Sequence, residues 1–253
     1  MKKFVRALPP DIPKVLSHYT KVGNIMNMLR GDTKSVCFLL KNNYDKNDNA
    51  ELKLGIELMR KFREYLQSNN LHSVLDHVTD FKNSYSLSFT AGEANQYMLS
   101  EYGKVCLEFD FRTYRNPKPI KCEYYTDEDV NDLIDQYILD LNQTRNSLTL
   151  YEIEWDIIEK LATIKRQKEW EAEKEWRMVL HKQDEDSRCL VDTDGKSRLI
   201  LNIPISFLTR ITLFYDNENK TEMNHMRANL KEWKRKNNIR LFDVVMKNAS
   251  RFV

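Results

Sequence analysis

Residues 84–90 read Ser-Tyr-Ser-Leu-Ser-Phe-Thr, and small hydroxyl-bearing side chains alternate in them with large apolar ones without a break. A period of two residues is typical of a β-strand that buries one face, so the segment predicts a half-buried strand. Ser86, Ser88 and Thr90 then share its polar face. Because a sheet surface that faces water shows the same alternation, a plain solvent-facing strand stays open as an alternative.

A second alternating segment, residues 173–180, reads Glu-Lys-Glu-Trp-Arg-Met-Val-Leu. As a strand it places Glu173, Glu175 and Arg177 on one face and apolar side chains on the other. Neighbouring carboxylates disfavour double ionisation, whereas an adjacent guanidinium favours it. Such a group is suited to hold a sugar hydroxyl or to stabilise a cationic transition state. The alternative is a charged strand that faces solvent.

The apolar positions of the alternating segments predict the core of the fold. They include Leu87, Phe89, Phe109, Trp176 and Phe214. Each occupies the apolar phase of a predicted strand, and burial of large apolar side chains is the main source of folding free energy. We therefore expect all five to be buried.

Apolar periodicity outside these segments predicts several more elements. Helices are predicted over 22–29 (with a possible cap at Thr20), from about 50, within 127–166 with a break near 142–146, and over 221–236; strands are predicted over 36–40, 105–111, 120–125, 175–181, 198–203, 210–215 and 240–246. Because helices and strands do not alternate regularly, we expect an α+β fold with a central mixed or split sheet and flanking helices. No repeat or linker divides the chain, so residues 1–253 are expected to form a single globular domain.

The composition narrows the classes of function. Forty basic and 38 acidic side chains give a net charge of +2, which supplies no global field for nucleic acid or an anionic membrane. No segment approaches the roughly 20 apolar residues of a membrane helix, and no apolar stretch precedes Pro9 and Pro10, so we expect a soluble cytoplasmic protein with no membrane partner. The four cysteines lack CxxC spacing and the five histidines are scattered, so no metal is expected.

His18 and Tyr19 form a third polar candidate near the start of the chain. A lone histidine beside apolar residues is often a hydrogen-bonded structural residue, and that interpretation stays open for His18. The sequence contains no Gly-rich phosphate loop, no HExxH and no GxSxG motif.

Several segments, taken in order, resemble the bacterial family catalogued as domain of unknown function 2971. They are LSHYTKVGNIMNML (16–29), NDNAEL (47–52), SLSFT (86–90), YGKVCLEFD (102–110), EWEAEKEWRMVL (169–180) and ITLFYDNENK (211–220). The resemblance spans nearly the whole chain. Two departures from the family pattern are Gln96 and Tyr97, which stand near a usual Trp position, and the loop after Gly103, which lacks a second Gly.

The order His, Ser-x-Ser, Glu-x-Glu is also similar to the signature of ADP-ribosyltransferases. That resemblance implies an NAD-using transferase or NAD glycohydrolase, in bacterial defence or toxin biology, with an oxocarbenium-like state that a fixed carboxylate stabilises. It implies Glu175 as the key acid and Glu173 as the residue that orients an acceptor. The residues implied to bind the dinucleotide are His18, Tyr19, Ser86, Ser88 and Arg177. NAD would be the substrate, and the acceptor would be a protein or a nucleic acid.

Two other functions remain open at this point. A non-catalytic module would use the same cleft to sense a nucleotide or to bind a protein. A metal-dependent nuclease would hold a divalent cation with Asp48, Glu51, Glu173 and Glu175. Consumption of NAD favours the transferase, binding without turnover favours the sensor, and a bound metal favours the nuclease.

Overall fold

The computed structural model describes residues 12–29, 34–43, 60–61, 63–65, 67–68, 84–92, 94–115, 117–124, 132, 135–136, 139, 158–160, 162–165, 168–181, 189–191 and 197–252. The strands in these ranges are β1 (Leu16–Thr20), β2 (Ser35–Asn42), β3 (Ser84–Ala91), β4 (Val105–Phe109), β5 (Ile120–Lys121), β6 (Glu123–Tyr124), β7 (Ile164–Lys165), β8 (Glu175–His181), β9 (Cys189–Val191), β10 (Ser197–Pro204), β11 (Leu208–Tyr215) and β12 (Asp243–Asn248). Three helices have both ends in these ranges, α1 (Val22–Met28), α2 (Gln96–Glu101) and α3 (Lys220–Lys236), and 3₁₀ turns cover Lys168–Glu173, Ile205–Phe207 and Ala249–Phe252. Helical residues also occur at 60–61, 63–65, 67–68, 132, 135–136, 139, 158–160 and 162–163.

Ten of these strands form one mixed sheet. Its main path runs β12-β11-β4-β1-β3-β2-β10-β9, with β8 on β3 and β5 on β8, while β6 and β7 form a separate pair. Every pairing in the large sheet is antiparallel except that of β11 with β12, which α3 separates in the chain. The expected α+β class with a mixed sheet is confirmed.

β3 lies where the large sheet divides. One edge of β3 pairs with β8 along its whole length, from Ser84 opposite His181 to Thr90 opposite Glu175. The other edge is shared, because β2 pairs with the beginning of β3 and β1 pairs with its end. β1 and β2 therefore diverge beside Leu87–Phe89, and the sheet opens at that point.

The core covers one face of this sheet. Leu87, Phe89, Phe109 and Trp176 are at most 5% exposed and belong to one large apolar cluster. Phe214 is equally buried, but it packs in a smaller cluster with Tyr19 and Cys106. The predicted burial of all five residues is confirmed, and with it the phase of β3 and β8.

Most predicted elements occur within a few residues of their expected ends, and four details were wrong. Ile164–Lys165, predicted as part of the helical region 127–166, form β7 instead. Thr20 is the last residue of β1 and not the cap of α1, whose N-cap is Lys21. The predicted strand 120–125 is interrupted at Cys122, whose backbone N–H donates to the carbonyl of Glu175. The final strand begins at Asp243 rather than at 240, since a turn follows α3.

The sequence did not predict β1, α2 or β9. The predicted helix from about residue 50 and the break near 142–146 lie largely or wholly outside the described residues. Among the helices that the structure describes, none has the length and apolar character needed to cross a membrane.

Gly103 holds the junction between α2 and β1. Its φ angle is +119°, and an added Cβ would lie 2.5 Å from the carbonyl oxygen of Thr20. Glycine avoids both the backbone strain and this contact. The close approach therefore fixes the end of α2 against the end of β1.

We predict that Gly103→Ala lowers the free energy of unfolding by more than about 1 kcal/mol, because the new methyl group meets backbone that cannot rotate away. Chemical denaturation measures the change. Gly23→Ala is the matched control: Gly23 lies in α1 with open space around it, so Ala should raise stability by roughly 0.5–1 kcal/mol. Equal effects of the two substitutions would contradict the close contact at Gly103.

Candidate functional site

A cleft of about 380 Å³ opens on the polar face of β3. Its floor comes from β1, β2, β3 and β8, and α2 with the turn before β8 forms a wall. All seven residues selected from the sequence line it: His18, Tyr19, Ser86, Ser88, Glu173, Glu175 and Arg177. Antiparallel pairing explains much of this convergence, since Ser88 lies opposite Arg177 and Thr90 opposite Glu175.

Glu175 and Arg177 form a buried ion pair on β8. Arg177 Nε donates to Glu175 Oε1 at 2.7 Å, and Nη2 lies 3.4 Å from Oε2. A third donor, Nη1, reaches the backbone carbonyl of Ala162 at 2.8 Å. Contact through both carboxylate oxygens fixes the orientation of the acid as well as balancing its charge.

The alternative of a solvent-facing charged strand is wrong for this segment. Glu173 and Glu175 are each 4% exposed and Arg177 is 7% exposed. A buried charge requires partners, because the loss of hydration costs several kcal/mol per ion. The helical residues around Ala162 cover this face and supply one of those partners.

Glu173 reaches the cleft from outside the strand. β8 begins at Glu175, and Lys174 between the two acids has a φ angle of +46°, so Glu173 does not continue the face of β8 as the alternation predicted. Its Oε1 accepts hydrogen bonds from Tyr102 Oη at 2.8 Å and Tyr97 Oη at 3.3 Å. The two acids thus have different hydrogen-bond partners although one residue separates them.

The hydroxyl groups of β3 differ in accessibility. Ser86 is buried, and its Oγ donates to Asn43 Oδ1 at 2.6 Å, while Asn43 Nδ2 donates to Ser84 Oγ at 2.8 Å. Ser88 is exposed within the cleft. Ser86 therefore helps to anchor the end of β2, and Ser88 presents the hydroxyl that a ligand can reach.

His18 occupies the opening between β1 and β2. It lies opposite Leu107, in the apolar phase of β1, and its ring meets Phe38 and Phe89 edge-on at 5.1 and 6.0 Å between centroids. Nδ1 donates to the backbone carbonyl of Ser88 at 3.0 Å. His18 therefore borders the cleft through the gap in the sheet, and its phase is opposite to that of Glu175.

The environment of His18 keeps its imidazole neutral. Burial lowers the pKa of His18, and the hydrogen bond to Ser88 opposes that shift only in part. Tyr19, on the other face of β1, packs with Met98 and Cys106, and burial raises the pKa of its hydroxyl. Neither side chain carries a charge near neutral pH.

Sequence reasoning missed several residues of the cleft. They are Leu39, Lys41, Asn42, Asn43, Met98 and Tyr102. It also missed two tyrosines that contact the acids of the cleft: Tyr97 donates to Glu173, and the Tyr124 hydroxyl accepts from the backbone N–H of Glu175. The sequence did point to Tyr102, because Tyr102 precedes Gly103 in the segment YGKVCLEFD (102–110) that carries the family resemblance. Lys41 and Asn42 lie beyond the predicted strand 36–40, because β2 extends to Asn42.

The acidic set of the nuclease hypothesis is only partly visible. Asp48 and Glu51 lie outside the described residues. Within the part of the chain that the structure describes, no three His, Cys, Asp or Glu side chains are grouped as a metal site requires.

Comparison with known proteins assigns neither a family nor a function to the chain. No protein-family model, no curated protein and no solved structure matches the chain. The chemistry of the cleft must therefore be argued from its residues.

We predict that Glu175→Gln lowers the free energy of unfolding by about 3 kcal/mol, because it removes the carboxylate charge that Nε and Nη2 of the buried Arg177 guanidinium contact. The double variant Glu175→Gln/Arg177→Met removes both charges and should recover most of that loss. Denaturation curves of the two variants and the wild type measure the difference. A single variant as stable as the wild type would show that the pair does not hold this part of the sheet together.

The lowered pKa of His18 predicts that the stability of the protein depends on pH. Because its pKa is lower in the folded protein than the usual 6.5, the unfolded chain binds the proton more readily. The stabilisation is therefore complete above about pH 6.5 and is lost as the pH falls below it, by at most about 1.4 kcal/mol per pH unit.

We expect His18→Asn, whose amide N–H can replace the Nδ1–H donor, to weaken this dependence in denaturation curves between about pH 7 and pH 5. His225 is exposed on α3, and His225→Asn is the control that should retain the wild-type dependence. An unchanged dependence in His18→Asn would show that other groups cause it.

Proposed function

We propose that the cleft binds NAD and breaks the bond between its nicotinamide and ribose, passing ADP-ribose to water or to an acceptor. The observation that supports this is the position of Glu173 and Glu175, which both reach one cleft although each is only 4% exposed. Fixed carboxylates shielded from water are suited to stabilise a cationic transition state. The cleft volume, about 380 Å³, lies in the range of small-molecule sites.

The proposed reaction separates charge at the anomeric carbon. The bond from ribose C1′ to the nicotinamide nitrogen breaks, the electron pair stays with nitrogen, and nicotinamide leaves as a neutral ring. Positive charge then develops on the ribose, where Glu175 stabilises it. Water or an acceptor hydroxyl or amine attacks C1′ and loses a proton, which Glu173 is placed to accept or direct.

Other residues of the cleft would position the dinucleotide. The Ser88 hydroxyl is exposed on the floor beside Arg177 and can bond a ribose or carboxamide group. Ser86 and Arg177 would act indirectly, because their side chains hydrogen-bond to Asn43 and Glu175 respectively. His18 and Tyr19 border the same space and would shape it rather than supply charge.

The resemblance to the family catalogued as domain of unknown function 2971 belongs to this proposal. Together with the resemblance to ADP-ribosyltransferases, it supports the proposal of a bacterial cytoplasmic protein in defence or toxin biology, with a protein or nucleic acid as acceptor. The motifs that carry the resemblance include the segments that build the cleft, namely 16–20, 86–90, 102–110 and 173–177.

A second candidate function is a sensor that binds the nucleotide without turnover. The observation in its favour is the two-point contact of Arg177 with Glu175, which balances negative charge that a cationic transition state would need. A paired carboxylate stabilises a nearby cation less than an unpaired one does. Turnover therefore decides between the two functions.

Incubation of the protein with NAD, followed by mass spectrometry of free nicotinamide and ADP-ribose, tests the proposal. We expect turnover by the wild type, a loss of roughly 100- to 1,000-fold in Glu175→Gln, and a smaller effect of Glu173→Gln on hydrolysis than on transfer. Assays run well below the melting temperature of each variant, because Glu175→Gln is also expected to be less stable.

Glu171→Gln is the matched control, since Glu171 is exposed in the same turn and should retain full turnover. Saturable NAD binding by calorimetry without product would favour the sensor. A folded wild type that neither binds nor consumes NAD would remove this proposal.

A further inference from the structure

We propose that Tyr97 and Tyr102 are positioning residues that hold the Glu173 carboxylate in the cleft. Both phenol hydroxyls converge on the same oxygen, Oε1, at 3.3 and 2.8 Å. The rings meet edge-on with centroids 6.4 Å apart, and Tyr102 lines the cleft. The roles assigned to Glu173 rest on the proposed function, whereas this contact does not.

Tyr97 lies in the short helix α2, and Tyr102 is the C-cap of that helix. Asn95 caps α2, with Oδ1 accepting from the backbone N–H of Met98 at 2.9 Å. Tyr102 follows the helix directly, and Gly103 then packs against the carbonyl of Thr20. The hydroxyls are consequently presented to Glu173 by a rigid support anchored on β1.

This support is needed because Glu173 lies outside the sheet. Lys174, with its positive φ angle, turns the chain between Glu173 and β8, so the strand register that places Glu175 does not place Glu173. Two hydroxyl donors on one carboxylate oxygen restrict the orientation of that carboxylate. Tyr97 and Tyr102 therefore help to orient Glu173, as Arg177 orients Glu175.

The tyrosines remain donors over the whole working range of pH. Burial, followed by the contact with Glu173, raises the pKa of Tyr102, and the same two causes raise the pKa of Tyr97. Neither hydroxyl loses its proton near neutral pH. The two hydroxyls therefore continue to donate to Glu173 as the pH changes around neutrality, and the contact is not a pH switch.

The contact is tested first without any assay of activity. Protein labelled with ¹³C at tyrosine Cζ gives signals whose shifts report hydrogen bonding of each hydroxyl, and Tyr97→Phe and Tyr102→Phe assign the two signals. We expect Glu173→Gln to move both signals and the control Glu171→Gln to move neither. If Glu173→Gln leaves the Tyr97 and Tyr102 signals unchanged, the inference fails, whatever the activity of the protein.

Kinetics with NAD then test the positioning role. A hydrogen bond to a charged acceptor predicts that Tyr102→Phe lowers kcat by roughly tenfold to a hundredfold with little change in KM, and that Tyr97→Phe, at the longer distance, has the smaller effect. Tyr215→Phe, outside the cleft, is the control and should match the wild type.

A double-mutant cycle separates positioning from a general structural effect. If the tyrosines act through Glu173, adding Tyr102→Phe to Glu173→Gln should cause no further loss of kcat. Additive losses would overturn the positioning role. Shifted tyrosine signals in a protein that never consumes NAD would uphold the contact while refuting the proposed function, so the two failures are distinguishable.

Discussion

β3 is paired with one strand along its first edge and with two strands along its second, and the site depends on that unequal pairing. The continuous register with β8 brings Ser88 opposite Arg177 and Thr90 opposite Glu175. The shared edge makes β1 and β2 diverge, which opens the sheet beside Leu87–Phe89. An unbroken sheet would satisfy every backbone group there with another strand. In this protein the Ser88 carbonyl instead receives the His18 imidazole, and a cleft forms above it.

Burial of charge in this cleft is tolerated because each charged group has its partners in the fold. Arg177 donates to both oxygens of Glu175 and to a backbone carbonyl, so few of its N–H groups remain to be hydrated. Replacing such a pair by apolar residues often costs nothing in stability. A buried ion pair is therefore better explained by the geometry that it imposes on a site than by any contribution to folding. We therefore interpret the polar face that β8 shares with the hydroxyl-lined face of β3 as a functional site.

The sequence was informative where local periodicity decides the structure. The alternation in residues 84–90 and 175–180 predicted both strands, their buried phase and the polar face that they share, since side chains in a strand alternate by geometry alone. It could not place Glu173, because the positive φ angle of Lys174 interrupts the period. It also could not find Tyr97 and Tyr102, which meet Glu173 across 76 and 71 residues of chain. His18 was selected correctly as a border of the cleft, but its side chain belongs to the apolar phase of β1, which only the pairing with β4 shows.

Glu173 and Glu175 are two residues apart and share one cleft, so their different partners are the feature that chemistry could use. A guanidinium orients Glu175 and balances its charge, while two phenol hydroxyls donate to Glu173. Sites that assign distinct roles to two like acids do so by giving them unlike environments. Under the proposed function, Glu175, held through both oxygens, has the fixed orientation that stabilisation of a developing cation requires, and Glu173, held by two hydroxyls, is the acid that accepts or directs the proton. The different partners of the two acids thus follow from the turn at Lys174, which places Glu173 outside the sheet and leaves Glu175 in β8.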